Sequence, residues 1–187
     1  MWLFLAALGM LFTSSMLLYV LMRVHFFGSV SDEPIHLPPA IWASTFVLIL
    51  ASVAIQRAVA NVRIERLANC EKYLHLTTFL AVLFLAIQFP CLWKILQIHR
   101  DMEARIIASR PPGTQVHIPL YGLVFVLILL HALHIIGGII ALGIVSVRAH
   151  RRAYDHENYG GVQFTARYWH FLDIVWLGMF TTFLVLP

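Results

Sequence analysis

Charged residues are scarce in this 187-residue sequence, where Asp, Glu, Lys and Arg together make up 12% of the chain. Soluble globular domains carry about 25%. Hydrophobic residues make up 60%, and the mean hydropathy is +0.82. These values exclude an ordinary soluble domain and predict a membrane protein. Nucleic acid is excluded as a partner for the same reason, because no soluble domain is present to carry a basic patch.

Cysteine is also scarce. Of the 2 Cys, Cys70 lies in a predicted connector and Cys91 inside a predicted span. Their different depths argue against a disulfide, and no C-x-x-C pair is present to build a thiolate metal site. No basic residue precedes Arg23, and no small-residue cleavage site follows cleanly. We therefore expect the first apolar stretch to be a retained helix rather than a secretory signal.

Long apolar runs make up most of the chain. A transmembrane helix needs about 20 predominantly apolar residues, and five stretches qualify, namely residues 1–22, 40–58, 74–98, 119–147 and 164–186. The sequence predicts an all-α polytopic membrane protein, a bundle of five transmembrane helices that forms a single domain over residues 1–187. Pro38 and Pro39 suit the first turn of the second helix, and Arg110–Gly113 indicates an exposed turn.

The basic residues cluster in the connectors and predict the topology. Seven Lys and Arg residues lie in the second and fourth connector regions: Arg57, Arg63, Arg66, Lys72, Arg148, Arg151 and Arg152. The first and third connector regions hold five: Arg23, Lys94, Arg100, Arg105 and Arg110. The positive-inside rule counts these residues alone. It places the N-terminus in the cytoplasm and the C-terminus outside.

Two pairs of polar side chains lie in the middle of predicted spans. His131 and His134 belong to the fourth span, and His170 and Asp173 to the fifth. Residues three apart share one face of a helix. An aspartate at a helix centre costs roughly 2.5 to 3.5 kcal/mol on insertion scales, so it normally faces other protein. Because a short loop makes these two helices antiparallel, we expect the imidazoles and the carboxylate to hydrogen-bond across them.

Trp169 and Trp176 flank the predicted contact, and Gly138 and Ala141 continue the histidine face, where small residues let a neighbouring helix approach. Two other roles stay open for the histidines. An H-x-x-H pair with a third imidazole could supply three nitrogens to a metal, and the same side chains could contact a partner subunit. No zincin glutamate and no second carboxylate accompany the pair, so structural hydrogen bonding is the preferred interpretation.

Residues 168–176 resemble the Y-W-H-F-V-D-V-V-W signature of subunit III of the haem-copper respiratory oxidases. Tyr168, Trp169, Phe171 and Trp176 match it together with His170 and Asp173, and the differences are aliphatic exchanges. The stretch from Leu130 to Gly137 is similar to the family's F-H-G-L-H-V-I-G. Weaker similarities cover the opening residues 1–6, residues 45–52 and residues 85–88. In order, the five spans resemble the last five helices of seven-helix family members, so the two leading helices have no counterpart here.

The resemblance implies an accessory role. Subunit III carries no haem or copper, which belong to partner subunits, and no catalytic, cofactor or metal residue is expected in this chain. It packs beside the catalytic subunit I, binds phospholipid in a cleft between helix bundles, and supports stability and proton uptake while the complex reduces dioxygen and translocates protons. The expected location is a bacterial plasma membrane.

Three positions that are acidic in the family are neutral here. Ala7 and Leu8 stand where the family has S-E, Cys91 lies near the acidic position that follows Gln88, and Gln163 replaces a glutamate before the final signature. These side chains cannot relay protons near neutral pH as a carboxylate can. We therefore expect no direct proton-antenna role.

Three other functions are alternatives to this role. An accessory subunit of a nitric oxide reductase keeps the fold and changes the partner, and the loss of the acidic residues favours it modestly. A stand-alone haem- or metal-binding membrane protein would use the mid-span histidines as ligands. A transporter is disfavoured, because the sequence contains no inverted repeat or broken-helix pair.

Overall fold

The computed structural model describes residues 2–25, 40–108, 120–152, 154 and 159–185. It contains five helices, α1 Trp2–His25, α2 Ala40–Arg63, α3 Leu67–Ala108, α4 Leu120–His150 and α5 Gly160–Val185. Each includes a segment long and apolar enough to cross a membrane. The described part of the chain has no strand. The predicted all-α bundle of five spanning helices is therefore confirmed.

The second connector is much shorter than predicted. α2 ends at Arg63 and α3 begins at Leu67, with a turn in which Glu65 has a φ of 58° and Arg66 N–H donates to Asn61 C=O at 3.0 Å. The placement of Cys70 in a connector was wrong, because this residue is buried within α3. Residues 59–73 contain neither Gly nor Pro, and charged helix formers extend a helix as readily as they fill a loop.

α3 also continues past its predicted end at residue 98. Its 42 residues extend about 63 Å, roughly twice the ~30 Å hydrocarbon core. The apolar part ends at Lys94, so the charged residues that were predicted to form a connector lie on further helical turns. Pro90 lies within the helix. The predicted turn at Arg110–Gly113 and the prolines Pro38 and Pro39 lie outside the described residues.

The bundle is a ring of four helices with a fifth at its side. α2 and α4 each pack against both α3 and α5, whereas α1 packs against α4 and α5. Three buried side chains of α1, Leu5, Phe12 and Tyr19, are spaced seven residues apart and form the stripe that faces the ring. The remaining surface of α1 exposes large apolar side chains such as Leu3, as a lipid-facing helix does.

The predicted connector charges gather at one end of the bundle. His150, at the end of α4, lies with its Nδ1 2.8 Å from Glu71 Oε1 on the first turns of α3. Arg63, at the end of α2, lies over the ring of Tyr159, which precedes α5. Both contacts are exposed or half-buried, and exposed ion pairs contribute little to stability. They show that the second and fourth connectors lie on the same side of the bundle.

Candidate functional site

The four predicted site residues lie on α4 and α5. Along α5 the buried residues recur on two adjoining faces, one toward α4 and one toward α2. Trp169 and Leu172 are fully buried, and Tyr168, Asp173 and Trp176 are less than a tenth exposed. A helix buried on one face needs a single apolar stripe, whereas a helix buried on two faces needs apolar residues around most of its surface. This explains why residues 168–176 are almost all apolar.

His131 lies at the centre of the bundle and is 1% exposed. Its ring stacks on Trp176, with centroids 5.3 Å apart and planes at 26°. Phe12 of α1 and Phe84 of α3 meet it edge-on, at 6.0 and 6.5 Å. Neither ring nitrogen has a hydrogen-bond partner among the described residues. The predicted hydrogen bond to the α5 carboxylate is therefore absent, and His131 contacts aromatic rings instead.

His134 hydrogen-bonds within its own helix. Its Nδ1 donates to Leu130 C=O at 2.7 Å, and its ring meets Phe12 edge-on at 5.3 Å. His134 is hydrogen-bonded to α5 through its backbone carbonyl and not through its imidazole. The Tyr168 hydroxyl donates to His134 C=O at 3.0 Å. One helix turn thus supplies both an aromatic contact to α1 and a backbone acceptor to α5.

The glycine pair of α4 gives α5 its close approach. A Cβ at Gly138 would lie 3.2 Å from Cζ3 of Trp169, tighter than ordinary van der Waals contact. A Cβ at Gly137, the signature glycine, would lie 3.7 Å from the Tyr168 hydroxyl. Small residues at helix crossings have this role in membrane bundles, so the pair specifies where α4 and α5 cross.

His170 and Asp173 face α2, and here the prediction of pairing across α4 and α5 was wrong. His170 Nε2 lies 3.1 Å from Gln56 Oε1, and His170 Nδ1 lies 2.7 Å from Ser52 Oγ. Because an amide oxygen only accepts, Nε2 donates, and in the neutral imidazole Nδ1 accepts from the serine hydroxyl. The i, i+3 spacing placed His170 and Asp173 on one face of α5 but could not say which neighbour that face meets.

Asp173 makes no hydrogen bond of ordinary length to any described residue. His170 Nδ1 is 3.7 Å from its nearer oxygen, too far for a hydrogen bond. Both carboxylate oxygens are buried and have no hydrogen-bond partner among the residues that the structure describes. Phe171, the remaining aromatic of the signature, packs at the edge of the hydrophobic core.

Polar residues of α2 are the partners that the sequence did not assign. Besides Ser52 and Gln56, Thr45 accepts a 3.0 Å hydrogen bond from Trp176 Nε1, and the hydroxyl of Ser44 donates to Gln88 on α3 at 3.3 Å. These four α2 residues are separated by one, seven and four positions, which places them on one side of the helix, and residues 40–56 are otherwise apolar. This spacing would have indicated a polar stripe on α2.

A groove opens on the outer surface between α2 and α5, with a volume of about 360 Å³. We call it the α2–α5 groove. Its lining consists of Leu48, Ile49, Ser52, Val53, His170, Asp173, Ile174 and Leu177. Neither in the groove nor anywhere else in the described ranges do three His, Cys, Asp or Glu residues come together in a way that could hold a metal ion.

The fold and these contacts define a class, a multi-pass α-helical membrane protein whose polar residues connect its helices. Residues 111–186 match the family model described as "Cytochrome c oxidase subunit III". This range includes α4, α5 and all four predicted site residues. With the curated relatives below, the match confirms the resemblance seen in the sequence: this part of the chain is similar to subunit III of the haem-copper oxidases.

Three relatives indicate the extent of the similarity. "Probable cytochrome c oxidase subunit 3" of Nocardia farcinica is 37% identical over 71 residues, which are 37% of this chain and 35% of that protein. "Cytochrome c oxidase subunit 3" of Corynebacterium diphtheriae is 24% identical over 138 residues, 74% of this chain and 61% of the relative. The "Probable cytochrome c oxidase subunit 3" of Mycobacterium tuberculosis is 29% identical over 138 residues, 73% and 61%. The chain thus spans between about a third and three-fifths of these relatives' length.

Proposed function

We propose that this chain is a non-catalytic accessory subunit of a haem-copper terminal oxidase of the cytochrome c oxidase type. The observation that carries the proposal is the subunit III match over residues 111–186. The contacts of the signature residues support it, because Tyr168, Trp176 and His170 all bond to neighbouring helices of the same chain. Side chains used in this way hold helices together and leave haem and copper to the catalytic subunit I.

The accessory role we propose is to stabilise the catalytic subunit during proton-coupled electron transport to dioxygen. Direct proton uptake through this chain is not part of the proposal. Two of the family's acidic positions correspond to Cys91, which is buried in α3, and to Gln163 near the start of α5. Neither side chain relays protons as a carboxylate does.

Membrane lipid is the second partner that we propose. All five helices expose large apolar side chains, among them Trp2, Trp42, Phe89, Ile140 and Ile174, each at least 60% exposed. In an aqueous setting such patches would aggregate, whereas in a bilayer they meet acyl chains. We further propose a bacterial plasma membrane, with the N-terminus and the basic second and fourth connectors in the cytoplasm.

The test is purification through an affinity tag on this chain, in a mild detergent, from the cells that normally make it. We expect a complex that contains haem and consumes dioxygen with a reduced electron donor. Recovery of the chain alone, without a haem-bearing protein, would contradict the proposal. A Soret band that stays with the isolated chain would instead support the stand-alone haem protein.

A nitric oxide reductase accessory subunit is the second candidate, and the neutral residues Leu8, Cys91 and Gln163 favour it. A reductase that does not pump protons needs no acidic antenna. The same purified complex separates the two candidates: consumption of dioxygen supports the oxidase, and consumption of nitric oxide without dioxygen supports the reductase.

A further inference from the structure

A cleft opens between α3 and α4 at the end of the bundle that we propose to be cytoplasmic. We call it the α3–α4 cleft, and its volume is about 490 Å³. Its lining consists of Glu71, His75, Ser146, Val147, His150 and Arg151. All of these except Val147 are polar or charged, so the cleft offers acidic and basic groups within one small volume.

Glu71 lies between imidazoles of both helices and can still accept hydrogen bonds. Its Oε1 is 2.8 Å from His150 Nδ1 and 3.7 Å from His75 Nε2. A carboxylate has about four lone-pair positions, and the Glu71 side chain is 31% exposed. Arg151 is exposed in the same cleft. A molecule in the cleft therefore meets an accessible carboxylate and an accessible guanidinium.

The cleft lies at the depth of lipid headgroups. The apolar span of α3 runs from Leu67 to Lys94, 28 residues, which extend about 42 Å. A bilayer measures about 40 to 45 Å with its headgroup regions, around a hydrocarbon core of about 30 Å. Glu71 lies about 6 Å from the start of this span. It is therefore placed where the headgroup region meets the hydrocarbon core.

Apolar side chains continue from the cleft toward the middle of the membrane. Phe79 and Val82 share the face of α3 that carries His75, because residues four and seven apart lie on one side of a helix. They are 64% and 51% exposed. On α4, Ile140 shares the face of Val147, and these two are 60% and 54% exposed. Since α3 packs against α4, the two rows provide an apolar surface for acyl chains below the cleft.

The charges in the cleft favour one class of headgroup. Phosphatidylglycerol has a phosphate and no ammonium, so it would bring only negative charge to Glu71. Phosphatidylcholine has a quaternary ammonium, which has no N–H to donate. Phosphatidylethanolamine has a phosphate and a primary ammonium. Its three N–H groups can donate to Glu71 while the guanidinium of Arg151 donates to the phosphate, and both contacts are charge-assisted.

We infer that the α3–α4 cleft binds the headgroup of a phosphatidylethanolamine molecule, with its ammonium on Glu71 and its phosphate on Arg151. The inference rests on the proposed function and deepens it, since it names the headgroup and the place for the lipid partner. The site lies between two helices of this chain. It is therefore distinct from the cleft between helix bundles that the family resemblance implies.

The experiment measures lipid preference on the tagged chain together with any proteins that copurify. Samples in mild detergent receive equal amounts of phosphatidylethanolamine, phosphatidylcholine and phosphatidylglycerol, and native mass spectrometry counts the lipids that stay bound. Glu71→Gln removes the carboxylate and Arg151→Gln removes the guanidinium. Asp101→Asn is the matched control, because Asp101 is an exposed acid near the opposite end of α3. Far-UV circular dichroism verifies folding, and haem per chain is measured in parallel.

We expect the parent and Asp101→Asn to retain phosphatidylethanolamine about tenfold over either other lipid. Glu71→Gln should lose this preference, and Arg151→Gln should retain less of all three lipids. Equal retention of the three lipids by the parent would overturn the inference, and so would a preference that survives in folded Glu71→Gln. A parent that prefers phosphatidylglycerol would also overturn it, because the basic residues would then bind an anion without help from Glu71.

A second sample distinguishes a lipid from a soluble compound with the same headgroup. It contains glycerophosphoethanolamine, which lacks acyl chains, in excess over phosphatidylethanolamine. We expect the lipid to stay bound, because the exposed side chains of α3 and α4 hold its acyl chains, whereas complete displacement would overturn the inference. Haem content separates this result from the proposed function: a parent without haem would contradict the oxidase subunit, and its lipid preference would still support the headgroup site.

Discussion

Replacing Gly138 by alanine tests the contact between α4 and α5 with a single added carbon. The new Cβ would lie 3.2 and 3.3 Å from Cζ3 and Cε3 of Trp169, and 3.4 Å from Cε1 of Tyr168. Trp169 is fully buried, so its ring cannot turn aside into open space. The two helices must separate by a few tenths of an ångström, which weakens every contact along the crossing.

The cost is that of overpacking a well-packed interior, typically about 1 to 3 kcal/mol. A second effect opposes it, because alanine is a better helix former than glycine by about 1 kcal/mol. Gly143→Ala isolates the clash. Gly143 lies on the same helix, and a Cβ there would meet nothing within 4 Å. Since both variants gain the same helix propensity, the difference between them measures the contact with Trp169 and Tyr168 alone.

The assay is titration of each purified variant with a denaturing detergent, followed by circular dichroism. We expect Gly138→Ala to be less stable than Gly143→Ala by about 1 to 3 kcal/mol, and Gly143→Ala to be at least as stable as the parent. Equal stability of the two alanine variants would refute the reasoning, because it would mean that α5 does not press against Gly138.

Three further substitutions test other contacts by the same titration. Tyr168→Phe removes the hydrogen bond to His134 C=O, and we expect a loss of about 1 kcal/mol; an unchanged midpoint would show that this bond contributes nothing. Trp176→Phe removes the donor to Thr45 and part of the ring that stacks on the α4 imidazole, so we expect a larger loss, about 1 to 3 kcal/mol. Phe12→Ala opens a cavity between α1 and α4 and should cost about 3 to 5 kcal/mol, whereas parent-like stability would mean that α1 is not packed as described.

The five spans were predictable because a bilayer sets a simple physical requirement of length and apolarity. Their ends were not. Lys72 was predicted to lie in a connector because it is charged, but no Gly or Pro lies between residues 59 and 73, and α3 includes it. The absence of Gly and Pro between residues 59 and 73 was a better guide to the helix boundary there than the presence of charge.

The sequence predicted which residues form the site, but it did not predict which side chains on neighbouring helices they contact. The spacing of His170 and Asp173 places them on one face of α5, but several helices surround α5, and periodicity cannot say which one that face meets. The polar stripe of α2 held the information, since Ser52 and Gln56 are the partners of His170. For His131 the prediction of a hydrogen bond was itself wrong. A buried imidazole can be enclosed by aromatic rings, and neither of its nitrogens has a hydrogen-bond partner among the described residues.

The most direct measurement of the central claim is an absorption spectrum taken before and after this chain is separated from its complex. If its histidines hold helices together and the partner holds the haem, the Soret band will remain entirely with the partner, and the released chain will be colourless and helical. A haem band that travels with the released chain would contradict the account, whichever histidine proved to be the ligand.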